Sequence, residues 1–313
     1  MKNFLAVGLT VVCVMAVRSV ALADTFADGT ANEFNIDFVP ISKTTNPSTG
    51  YGIVNKDYRM GTKEITNDQW SKFKSSLGVS LTGSPSDAYD SDTISTGTNV
   101  PTNNVTWYEA AQFVNWLNTS SGKPAAYKFT GTQGTSGYTL GVWSASDAGY
   151  NTANPYRNSN AFYFLPTEDE WVKAAYWNGM TLQAYSNASL SDLISGSPDP
   201  TKWNYGPSAG YDLWNVGSGS RELNGTYDMM GNVWEWMESP YYTGDYLPGS
   251  YRGIRGGSCS YYFVDSLISS YRSFGKPNDE HNGGLSFRVA SVPEPCSLAL
   301  LFLGGLALRS RKR

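Results

Sequence analysis

Leu165-Pro166-Thr167-Glu168-Asp169-Glu170-Trp171 carries the local chemistry that decides the fold class. A threonine followed three residues later by a glutamate is a capping box. The hydroxyl accepts from the N3 amide, and the N3 carboxylate accepts from the cap amide. Trp171, Ala174 and Ala175 then supply a small apolar face, so a short helix starts at Thr167. The device recurs at Thr106 with Glu109, ahead of Trp107, Ala110, Ala111, Val114 and Leu117. It recurs again at Thr66 with Gln69, ahead of Trp70, Phe73 and Leu77. Around these helices the chain is irregular. Residues 78–98 are rich in Gly, Ser, Thr and Asp and read as an exposed loop. Residues 119–156 read as a long polar connection with strand-like fragments at 127–129 and 138–143. Phe34, Ile36 and Phe38 alternate as in a half-buried strand. A few short capped helices in mostly irregular chain predict an α+β domain, with neither linker nor repeat dividing it.

Composition narrows the chemistry. The 313 residues include 10 Trp and 21 Tyr but one His, with a net charge of −4. With no basic stripe, nucleic acid is not the expected partner. A single His rules out a multi-histidine metal site. Of Cys13, Cys259 and Cys296, two lie in terminal apolar runs, so Cys259 stands alone in the body and no intradomain disulfide can form.

The ends read as addresses. Residues 1–23 combine Lys2, an apolar run over 4–17 and Ala21-Leu22-Ala23, the pattern of a secretory signal peptide cut before Asp24. A retained anchor is the alternative. At the other end, Val292-Pro293-Glu294-Pro295 precedes an apolar segment over 296–308 and the basic Arg309, Arg311, Lys312 and Arg313. Pro293, Glu294 and Pro295 with that segment and tail resemble the PEP-CTERM sorting signal. The resemblance implies processing by an exosortase in a Gram-negative-type envelope, linked to exopolysaccharide and the cell surface. A plain C-terminal anchor has a similar outline. The expected organisation is a signal peptide over 1–23, a leader strand region over 24–50, a domain over 51–291 and a sorting segment over 292–313.

The order of motifs across the body resembles one family. Glu64-Ile65-Thr66-Asn67 is similar to its "E-V-T-N", Asn104-Val105-Thr106-Trp107 to its "V-x-x-V-T-W", and Phe164–Trp171 to "R-L-P-T-E-A-E-W". Tyr227-Asp228-Met229-Met230-Gly231-Asn232-Val233-Trp234-Glu235-Trp236 follows "Y-D-M-x-G-N-V-W-E-W" almost letter for letter. Arg255-Gly256-Gly257-Ser258, Tyr271-Arg272-Ser273 and Leu285-Ser286-Phe287-Arg288-Val289-Ala290 complete the series. Together they resemble the formylglycine-generating-enzyme, or sulfatase-modifying, family. That resemblance implies a C-type-lectin-like fold of twisted antiparallel strands with a few short helices.

The family's oxidases hold copper(I) between two cysteines after "G-G-S", and a soft monovalent ion needs both thiolates. By spacing, those places fall at Tyr261 and Ser266, and Cys259 takes the place of a packing Trp. Copper is therefore not expected, and Cys259 reads as a small buried hydrophobe. The resemblance also implies calcium, held by Asp228, the Gly231 and Val233 carbonyls and Glu235. A second site is hinted at by Asn204 and the Tyr205 carbonyl, with Asp212 a candidate partner. The alternative is that Asp228 and Glu235 bond only to loop amides. Arg255, Arg272 and Arg288 read as partners of buried carboxylates or carbonyls, Trp234 and Trp236 as core, and His281 as a surface residue. The function expected is a non-oxidase surface module binding polysaccharide or an envelope protein. The alternative is a sulfatase-modifying oxidoreductase or related metal enzyme.

Overall fold

The computed structural model describes residues 22–89, 93, 95–189, 193, 202–206, 212–260, 263–280 and 284–293. Tyr261, His281, Glu294, Pro295, Cys13, Cys296 and both terminal apolar runs lie outside them.

The three threonine boxes form as the sequence predicts. They open α1 (Asn67–Leu77), α2 (Trp107–Ser120) and α3 (Glu168–Tyr176). In each, the threonine hydroxyl accepts the N3 amide at 3.2 Å. The N3 side chain accepts the cap amide at 2.8–2.9 Å. α1 stops at Gly78, whose φ of 72° costs little only without a Cβ. α2 is buried on nearly every side. Its Asn115 and Asn118 therefore hydrogen-bond the backbone of Tyr127 and Tyr163 rather than water.

Two main sheets curl around these helices. The first runs β1 (Leu22–Phe26), β2 (Phe34–Ile41), β3 (Tyr58–Gly61), β11 (Ala290–Ser291) and β6 (Tyr163–Phe164), all antiparallel. Phe34, Ile36 and Phe38 face inward on β2, as their alternation requires. β1 and β2, which fall within the leader region, pair with each other and through β2 with β3 of the body. Long-range pairing, invisible to local patterning, makes the join. β1 is further clamped by Asp24, which accepts from Arg59 at 2.6 and 2.9 Å and from the Tyr163 hydroxyl at 2.9 Å.

The second sheet has the order β10 (Leu285–Ser286), β7 (Trp234–Pro240), β8 (Arg252–Arg255) and β9 (Ser273–Gly275). Its β10–β7 pair is parallel, an exception to the antiparallel expectation. β4 (Phe129–Thr130) and β5 (Thr139–Leu140) form a small ribbon at the place of the predicted fragments. The stretch 78–98 is not wholly an exposed loop. Ser86–Tyr89 form a 3-10 turn, Ala88 is fully buried, and its carbonyl accepts the Thr106 hydroxyl at 2.9 Å. A small side chain beneath the α2 cap made that contact available.

One core gathers Phe26, Phe34, Phe38, Trp70 and Phe287 with Phe113 of α2, and a second gathers Met60, Met229 and Met237 with Trp171 of α3. Trp234 and Trp236 are buried, Trp236 donating to the Val105 carbonyl at 2.8 Å. This is a mixed α+β fold of curled sheets, few helices and much irregular chain.

Candidate functional site

The backbone of the loop entering β7 is tightly constrained. Asp228, Gly231 and Asn232 have φ of 61°, 101° and 62°, in the left-handed region that disfavours most side chains. A Cβ on Gly231 would lie 2.3 Å from the Asn204 carbonyl oxygen, so only glycine lets the two segments approach. The loop is then tied on every side. Gly231 N–H donates to Gly256 (2.8 Å), Asn232 N–H to Asn204 (2.7 Å), Tyr227 N–H to Thr62 (2.8 Å), and Cys259 N–H to Asn232 (2.9 Å). Asn232 accepts from Asn204 Nδ2 and from Trp214 N–H, and donates to Glu64 at 3.2 Å.

Beneath this loop lies a buried acidic hub. Glu235 receives Arg288 Nε at 2.7 Å and Nη2 at 2.6 Å, and Trp171 Nε1 at 2.9 Å. Burial works against the Arg288 charge, but Glu235 outweighs it and raises its pKa. Glu64, Glu222 and Asp228 crowd the same guanidinium. Burial, followed by Asp228 and Glu235, pushes Glu64 well up. Burial lifts Glu222 to about 8, and lifts Asp228 to about 6 despite the Gly217 amide at 2.5 Å. Glu64 Oε1, Glu222 Oε1 and Asn204 Oδ1 are buried without a hydrogen-bond partner. Four carboxylates facing one guanidinium must bind protons or further cations to remain buried.

The chain matches the model of the sulfatase-modifying factor enzyme 1-like domain over residues 25–292. It belongs to that family. Treponema denticola variable protein 1 superposes with a TM-score of 0.58 at 23% identity, over 87% of this chain and 99% of that one. CarF superposes with a TM-score of 0.55 at 20% identity, over 83% and 99%. Both are similar in fold. No curated protein matches in sequence.

The sulfatase-modifying-factor motifs place their residues as follows. Asp228, Gly231, Asn204 and Glu235 converge on the hub, Val233 is buried beside them, and the Tyr205 ring is buried with its hydroxyl bonded to the Leu193 carbonyl. Both Glu235 oxygens already serve Arg288 and Trp171, so Glu235 could bind a metal only by sharing them. Among the described residues no group of three or more His, Cys, Asp or Glu side chains is arranged to hold a metal. The oxygens a cation could draw on are the unpartnered Asn204 Oδ1 and Glu64 Oε1 and the Asp228 carboxylate, which acts on Glu64 electrostatically. Calcium accepts such all-oxygen sets in irregular geometry.

Ser266 is buried and its hydroxyl donates to the Phe263 carbonyl at 2.7 Å. Cys259 is buried. Burial, followed by Asp212 and Glu64, pushes its thiol up to about 11, so it is protonated at neutral pH. Arg255 and Arg272 converge on one carboxylate, Glu168, at 2.9 and 2.5 Å. Sequence reasoning passed over Glu64, Glu222 and Glu168. Glu64 and Glu168 look like residues of a helix entry, and no local pattern marks Glu222.

Proposed function

We propose that this chain is a non-oxidase member of the sulfatase-modifying-factor family that acts as a binding module at the cell surface. The observation that carries the reading is Ser266 at the second thiolate place, its hydroxyl held by Phe263, which leaves Cys259 as the single cysteine of the body. Two-thiolate copper ligation cannot be assembled from one protonated thiol. Export rests on the signal-peptide pattern over 1–23. Sorting by an exosortase rests on Pro293-Glu294-Pro295 and the basic tail, and polysaccharide is the binding class that such sorting favours. We further propose that calcium joins Asp228 and Asn204 in the hub, supported by the surplus of buried carboxylates over guanidinium.

The test uses purified chain beginning at Asp24. Conversion of a cysteine-type sulfatase peptide with copper and oxygen would establish the oxidoreductase alternative, whereas retention on polysaccharide without conversion supports the binding module. For calcium, chelation should lower the unfolding temperature, because a ligand held only by the folded state stabilises it. An unchanged temperature removes the metal from the proposal.

A further inference from the structure

We infer that an aromatic strip on the edge of the second sheet is the binding surface for an anionic polysaccharide, a deepening that rests on the binding-module reading. The strip runs along the hairpin end between β7 and β8 and along edge strand β9. Tyr241 packs on Phe274 with ring centroids 4.5 Å apart and on Tyr242 at 5.1 Å. Tyr251 meets Phe274 edge-on at 5.2 Å. Tyr242 is 56% exposed and Phe274 is 41% exposed, although both are large and apolar-bodied. Rings of this kind offer flat faces to sugar C–H groups and a hydroxyl at the rim.

The rings sit on a fixed foundation. Arg272 lies over Tyr241 at 4.4 Å and over Tyr51 at 5.2 Å, and donates to the Tyr241 carbonyl at 3.0 Å. Gly253 pairs with Phe274 across the sheet, and a Cβ there would press on the Glu168 carboxyl at 3.1 Å. The absent side chain lets Glu168 reach both arginines beneath the strip.

Charge selects the ligand. Two guanidiniums share the one Glu168 carboxylate, leaving a net positive charge, and Arg272 is the more exposed of the two at 23% against 1%. Lys276, the residue that follows β9 and lies two positions from Phe274, is exposed. Asp279 accepts the Lys276 amide at 2.7 Å and offsets part of that charge. On a chain of net charge −4, rings flanked by a guanidinium and an ammonium complement carboxylate-bearing sugars.

Affinity electrophoresis of the mature chain, in gels holding polygalacturonate, its methyl ester or dextran, tests this. Esterification keeps the backbone and removes the charge. Polygalacturonate should retard the protein about fivefold more strongly than the ester, and the difference should vanish at high salt. Combining Tyr242→Ala with Phe274→Ala should weaken retardation about tenfold, the effect of losing exposed aromatic anchors. Lys276→Glu should remove the preference for the acid over its ester. Both variants should keep the parent's unfolding temperature, and Val79→Ala, at an exposed position beyond α1, should behave as the parent. Equal retardation by acid and ester overturns the inference. So does unchanged retardation in the Tyr242/Phe274 variant, which leaves polysaccharide binding standing elsewhere on the molecule. No retardation by any of the three polysaccharides defeats the polysaccharide-binding reading as well.

Discussion

Replacing Glu168 by glutamine should be among the most damaging single-atom changes available to this protein. Glu168 is 3% exposed, and its Oε1 accepts from Arg255 Nε at 2.9 Å and from Arg272 Nε at 2.8 Å. Its Oε2 takes Arg272 Nη2 at 2.5 Å. Glutamine keeps one acceptor and turns the other into a donor facing Arg272. Arg272 can turn toward water, but Arg255 is 1% exposed and cannot. Leaving a buried charge without its partner costs about 3–5 kcal/mol. For a domain of this size each kcal/mol moves the melting temperature by about 2–4 °C, so a drop of about 6–20 °C is expected. Urea denaturation and thermal melting, both followed by near-ultraviolet circular dichroism, measure it. Adding Arg255→Met to the variant should recover part of the loss, because the stranded charge is then gone. A loss under about 1 kcal/mol, the range of exposed pairs, would refute the claim that this carboxylate organises the two arginines.

Two further outcomes follow from the hub and the thiol. Glu222 is raised from 4.5 to about 8 and Asp228 from 3.8 to about 6, so the folded state holds protons that the unfolded chain releases. Stability in chelator should therefore be fullest below those ordinary values and fall as pH rises, through about 6 for Asp228 and about 8 for Glu222. The slope is at most about 1.4 kcal/mol per pH unit for each group. Saturating calcium should flatten it, and urea midpoints across that window in chelator and in calcium decide; a rising slope in chelator contradicts the hub. With its pKa at about 11, Cys259 should resist thiol reagents in the native protein and react promptly once urea unfolds it. Fast native labelling would contradict the burial of that thiol.

The parts legible in the sequence were those whose partners lie three residues apart or on one face of an element. Thr66, Thr106 and Thr167 each met the predicted partner, and Phe34, Ile36 and Phe38 faced inward, because caps and strand alternation depend only on near neighbours. The body thiol count was equally plain. Less legible was the site. Asp228 and Glu235 stood out through their motif, but Glu235 is matched by Arg288, 53 positions away. Glu168 looked like an ordinary first-turn acid, favourable beside the helix dipole. Its guanidinium partners lie 87 and 104 positions away.

What the sequence determined by itself was therefore local chemistry: where helices start, which strand face is apolar, and that one cysteine cannot make a pair. Tertiary structure alone decided that β1 and β2 join β3 in the main sheet, that four carboxylates crowd one arginine, and that four aromatic rings gather on one edge. The physical reason is range. Capping and alternation act within a few residues of chain, whereas charge matching and ring packing depend on distances that only the completed fold sets.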